Sequence, residues 1–116
     1  MKRARSKEMR GKSVEELCKR FDDDIVHDCH GLLAKVSRSH ALAELLHRGR
    51  PILPEIAKYL RGHKTLNGAH PLLEELRFAW GIALNYMANE IGEFSSAPND
   101  RRDTPAWITW AEQMAA

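Results

Sequence analysis

The 116-residue chain has only two cysteines, Cys18 and Cys29, and they do not form a C-x-x-C pair. This excludes a disulfide-stapled scaffold and a four-thiolate zinc module, and makes a reduced, cytoplasmic setting the expectation. No apolar run approaches the ~18–20 residues that a membrane span requires. The first residues, Met1-Lys2-Arg3-Ala4-Arg5-Ser6-Lys7, are charged and lead into no apolar core, so no secretory signal is expected. Also missing are the G-x-S-x-G elbow, a Gly-rich phosphate loop, H-E-x-x-H and a dinucleotide fingerprint. With no recognisable nucleophile–base pair or carboxylate pair, a non-enzymatic protein without a cofactor is expected.

What is present is enough for one core. Hydrophobic residues make up 43% of the chain and charged residues 29%, proportions of a folded domain rather than a disordered one. The net charge of +2 is unevenly spread. Lys2, Arg3, Arg5, Lys7, Arg10 and Lys12 stand against Glu8 alone in residues 1–12, giving +5. The other 12 basic and 15 acidic residues leave the body at −3. The expected organisation is a basic, flexible tail over residues 1–12 and a single α-helical domain over residues 13–116. The tail is a candidate nucleic-acid contact through non-specific electrostatics.

Helical signals run along the domain. Ser13-Val14-Glu15-Glu16 has the form of a capping box. At about 100° per residue, Val14, Leu17, Cys18, Phe21, Ile25, Cys29, Leu32 and Val36 fall within about 60° of one direction, which predicts one amphipathic helix over 14–36. Gly31 and the run Asp22-Asp23-Asp24 argue for a break in it, but the continuous stripe favours one helix with both cysteines in the core. Ser37 or Ser39 can cap a second helix over His40–Arg48, with Gly49 at its end. Pro51 and Pro54 suit the first turn of a third helix, striped by Ile52, Leu53, Ile56 and Leu60 and ending near Gly62.

Residues 62–70 carry turn formers and no period, so a loop is predicted. Pro71 opens the fourth helix. Leu73, Leu76, Trp80, Leu84, Met87 and Ile91 occupy one side of it, while Phe78 and Ile82 point nearly opposite, with Tyr86 toward their side. A helix apolar on two sides is either central or offers one face to a partner. After Gly92, a polar loop over 93–103 leads to Thr104-Pro105, a cap followed by a first-turn proline. The last helix carries Trp107, Trp110, Ala111 and Met114 on one face. At about ten residues it needs a surface to dock on.

From Ser39 onward the pattern resembles small bacterial HEAT-like α-helical proteins. The residues carrying the likeness are His40-Ala41-Leu42 through Leu46, Gly49, Ile52-Leu53-Pro54, Leu60, Trp80, Ala83-Leu84, Ile91-Gly92 and Trp107-Ile108-Thr109-Trp110. It covers roughly the last two-thirds of the chain and departs from the pattern around Asn67-Gly68. The first 36 residues match no family pattern. The resemblance implies a compact, all-α bundle of about five helices with antiparallel HEAT-like pairs. It also implies a binding surface, with no catalytic residue to carry over.

The expected function is therefore recognition of a protein partner through Phe78, Ile82 and Tyr86, self-association included. The alternative is a nucleic-acid accessory role for Lys2, Arg3, Arg5, Lys7, Arg10 and Lys12. Asp23, His27 and His30 share a surface strip at i, i+4 and i+7 that could suit zinc. A solvated polar face with two ordinary histidines is the expected reading, and no metal ligand is assigned. Arg48, Arg50, Arg61 and Lys64, with His47 and His63, are expected to form a solvated rim rather than an anion site.

Overall fold

The computed structural model describes residues 7–62 and 71–114, the side chains of 71–73 excepted. Among these residues are seven α-helices and no strand: α1 (Lys7–Arg10), α2 (Val14–His27), α3 (Leu32–Arg38), α4 (His40–Arg48), α5 (Leu53–Gly62), α6 (Pro71–Glu90) and α7 (Thr104–Gln113). Short 3-10 turns at Arg50–Ile52 and Phe94–Ser96 complete the path. The radius of gyration is 13.0 Å, that of a compact domain of this length. Among the described residues no helix is long and apolar enough to cross a membrane.

Local chemistry accounts for the boundaries. Both halves of the capping box form at α2: Glu16 N–H donates to Ser13 Oγ at 3.1 Å, and Ser13 N–H donates to Glu16 Oε1 at 3.2 Å. Ser39 caps α4 by accepting from Leu42 N–H, and its own hydroxyl donates to Asp24 Oδ2 at 2.8 Å. Gly49 ends α4 at φ 74°, a conformation only glycine takes without strain. At α7 the cap is Asp103, which accepts from Ala106 N–H, and not Thr104. Thr104 sits one residue inside the helix and is buried.

Two expectations about the first third of the chain are corrected. The helix predicted over 14–36 is two helices: α2 stops at His27, Asp28 turns extended (φ −79°, ψ 135°), and α3 starts only at Leu32. Cys18 is fully buried, whereas Cys29 is exposed in the connection. The helix count rises from about five to seven for this reason, and because residues 7–10 form a helix of their own. That short helix cannot hold itself, and Arg48 holds it. The Arg48 guanidinium donates to the backbone carbonyls of Met9, Arg10 and Lys12 at 3.3, 3.1 and 2.7 Å. Glu44, 1% exposed, anchors the guanidinium from behind at 2.9 Å. With Met9 2% exposed in the core, residues 7–12 are fastened to the body; residues 1–6 lie outside the described ones.

The core is organised around α2 and α6. Helix α2 packs on α3, α4, α5 and α6, and α6 packs on α2, α3, α4 and α7. Phe21 meets Trp80 edge-on at 4.6 Å between centroids, and Trp107 meets Trp110 edge-on at 5.5 Å. All three tryptophans are buried, as their stripes predict. Each indole N–H has an acceptor: Asp22 Oδ1 for Trp80, the Asp100 carbonyl for Trp107 and Ser96 Oγ for Trp110.

Asp22 is the polar centre of this packing. Its carboxylate accepts from Trp80 Nε1 of α6 at 2.7 Å and from the Tyr59 hydroxyl of α5, so one side chain of α2 ties three helices together. Burial, then the neighbouring carboxylate, pushes the Tyr59 phenol well above its ordinary range and keeps it a donor. A second close fit involves Gly81 in α6. A Cβ there would lie 1.8 Å from the backbone oxygen of Arg101, so the 93–103 connection crosses directly on the helix backbone.

Replacing Asp22 with Ala should cost about 2–3 kcal/mol, since hydrogen bonds to a charged group contribute ~1.5–3 kcal/mol net. In a domain of this size that lowers Tm by roughly 10 °C. Asp22→Asn should cost less, because the amide oxygen can still accept from Trp80 while its NH2 donates to a reversed Tyr59 hydroxyl. Thermal melts of the two variants check the order; equal losses would contradict it.

Candidate functional site

The expected recognition face lies on α6, and the structure divides its three residues. Ile82 is 1% exposed, packed inside the domain, and cannot contact a partner. Phe78 and Tyr86 are half-buried and pack against the core. The second apolar side of α6 is therefore largely covered by the chain itself. Phe78 lies at the edge of open concave surface.

Phe78 borders two hollows. One, about 320 Å³, lies between α6 and the 93–103 connection and is lined by Phe78, Asn85, Phe94, Ala97, Pro98, Asn99 and Arg101. The other, about 600 Å³, lies between α3 and α6 and is lined by Leu32, Glu74, Glu75, Arg77, Phe78 and Arg102. Phe94 is 57% exposed and Leu33, next to Leu32, 59% exposed, large apolar groups that folding has left in water. Arg102 places its guanidinium 5.3 Å from the centre of the Phe78 ring, within cation–π range. Arg101 and Arg102 are both exposed, while Glu75 is engaged by Lys35 of α3. Phe78 and Phe94 are the large apolar groups of this surface, and its rim carries the exposed Arg101 and Arg102 together with Arg77 and the exposed Glu74.

Phe94 was not among the residues expected to bind. In the sequence it stands in a polar stretch with no period. Its relation to Phe78 comes from the connection folding back across Gly81.

The basic residues are partly accounted for. Lys7 and Arg10 are exposed on α1 and Lys12 is half-buried just after it; Lys2, Arg3 and Arg5 lie outside the described residues. The cations around α5 are spoken for: Arg48 by Glu44 and three carbonyls, Arg50 by Glu93 at 2.5 Å, and Arg61 by Glu112 through two bonds. Hydrogen bonds from Arg61 hold the Glu112 carboxyl below its usual range. Instead of a free basic rim, these residues make ties between elements. His63 and Lys64 lie outside the described residues.

The metal strip is rearranged too. Asp23 and His27 line a polar cleft of about 490 Å³ between α2, α3 and α4, together with Arg20, Asp24, Asp28, Lys35, Arg38, Ser39 and His40. His30 lies past the end of α2 and pairs with Asp28. The Asp28 Oδ1 atom accepts from His30 N–H at 2.9 Å and lies 2.5 Å from His30 Nδ1. The His30 backbone, then its ring, holds the Asp28 carboxyl below the usual carboxylate range.

Comparison of the chain with protein-family models, curated proteins and solved structures finds no match.

The two thiols should titrate separately in the reduced, chelator-treated protein. Cys29 is exposed, while burial pushes the Cys18 thiol well above its ordinary range. A disulfide reagent should therefore consume one thiol in the native chain and the second only after denaturation. Two thiols reacting at similar rates would contradict the break after His27.

Proposed function

We propose that this protein is a non-catalytic interaction module that binds an acidic, amphipathic segment of another protein on the surface centred on Phe78. The observation carrying this reading is the combination of exposed Phe94 with half-buried Phe78 along one hollow that Arg101 lines, with Arg102 over the Phe78 ring on the side of the other. A bulky apolar side chain of the partner enters between the two rings, and its flanking carboxylates meet the guanidinium groups. Aromatic and arginine side chains are the usual anchors of such contacts, because they bury much surface and lose little freedom. The HEAT-like resemblance points the same way, since helix pairs of that class serve as binding surfaces. The recognition element moves from Phe78, Ile82 and Tyr86 to Phe78, Phe94, Arg101 and Arg102.

The test is selection of displayed peptides on the immobilised full-length chain. Enriched peptides should carry Asp or Glu beside Leu, Phe or Trp, and their affinity should fall about tenfold or more in Phe94→Asp and in the double variant Arg101→Glu/Arg102→Glu. All three positions are exposed, so folding should be unaffected, which circular dichroism verifies. Peptides lacking acidic residues, or binding that ignores these substitutions, would overturn the reading.

A second reading assigns nucleic-acid binding to Lys2, Arg3, Arg5, Lys7, Arg10 and Lys12. It is favoured by the Arg48 clamp, which holds Lys7 and Arg10 exposed on an anchored helix. Deleting residues 1–12 would also remove buried Met9, so the six cations should be changed to Gln instead. Affinity for DNA or RNA that falls steeply with salt, and is lost in that variant, would support this reading; binding that survives the change would refute it.

A further inference from the structure

The break after His27 brings together three donor atoms that a continuous helix would separate. Successive side chains on a helix leave the axis about 100° apart, so Asp28, Cys29 and His30 could not converge within one. In the extended connection, one ligand atom from each lies within 4.8 Å of the other two. They are an oxygen, a sulfur and a nitrogen, from a half-buried carboxylate and two exposed side chains. The set differs in kind from a cluster of acidic groups. A thiolate and an imidazole select a borderline-soft ion over calcium or magnesium.

The distances suit such an ion. Zinc bonds of about 2.0–2.3 Å place tetrahedral donors roughly 3.5 Å apart. Closing from 4.8 Å needs only side-chain rotation, and the exposure of Cys29 and His30 leaves room for it. Asp28 Oδ1 already lies against His30 Nδ1. On binding, the ion takes the place of this contact and is coordinated directly by the Asp28 oxygen and the imidazole nitrogen that faces it.

We propose that Asp28, Cys29 and His30 form a binding site for a divalent transition-metal ion of the zinc class, with the remaining position open to solvent or an external ligand. The Cys29 thiol loses its proton on binding, and the proton leaves to solvent. Arg38 works against the ion, since its Nε lies 3.9 Å from Asp28 Oδ2. The site is independent of the Phe78 surface.

Titration of the reduced full-length chain with Co²⁺, followed by displacement with Zn²⁺, tests the assignment. One equivalent of Co²⁺ should produce a near-ultraviolet thiolate-to-metal charge-transfer band that Zn²⁺ removes. Cys29→Ser should abolish the band, and His30→Ala should weaken binding about tenfold or more. Cys18→Ala should leave the band intact, and Arg38→Gln should tighten binding about two- to threefold by removing a nearby charge. A wild-type chain without the band would overturn the proposal. So would a band surviving Cys29→Ser, or binding lost with His27→Ala but kept with His30→Ala. Because the changes at 29 and 30 are at exposed positions, thermal melts should match the wild type, separating lost ligation from lost folding.

Discussion

The Asp22 carboxylate is the point on which the packing of this domain depends. It belongs to α2, yet its two oxygens are occupied by donors from α5 and α6. Apolar side chains would glue the same helices without specifying how far one slides along another, since burial is non-directional. Two directed bonds to one small group set that register. The arrangement also disposes of the indole N–H of Trp80, which would otherwise be a costly unpaired donor beneath Phe21. Once the three helices are aligned, α4 and α7 find apolar stripes already in place.

The parts of the fold that were legible in the sequence are those governed by local chemistry and period. The Ser13 capping box, the end of α4 at Gly49, the stripe of α5 and the burial of all three tryptophans follow from residues a few positions apart. Gly31, which does precede α3, signals the break, but it is outweighed because Leu32 and Val36 happen to continue the angular stripe of Ile25. A helical wheel cannot distinguish one helix from two whose buried faces point the same way. Met9 was hidden for a different reason: a single apolar residue among charges has no period, and the Arg48 clamp comes from a distant helix. The burial of Ile82 depends on which elements cover α6, which sequence spacing does not encode.

The candidate surfaces were legible to the same uneven degree. Phe78 could be found from its place opposite the main stripe, but Phe94 could not, and neither could the pairing of Arg50 and Arg61 with distant carboxylates. Asp28, Cys29 and His30 are neighbours in the chain, but one helix over 14–36 would turn Cys29 into the core, and α2 ends before reaching them. In both cases what residue spacing does not encode is the backbone path between the residues.

The crossing at Gly81 has a consequence for how this surface can vary. Its contact is backbone against backbone, so the side chain at 101 is released from any packing duty and must leave toward water, where Arg101 is found. Position 101 can thus exchange one charge or size for another while the main chain beneath it stays seated. A rigid mount with an interchangeable head allows the rim of the hollow to change its charge without reopening the core.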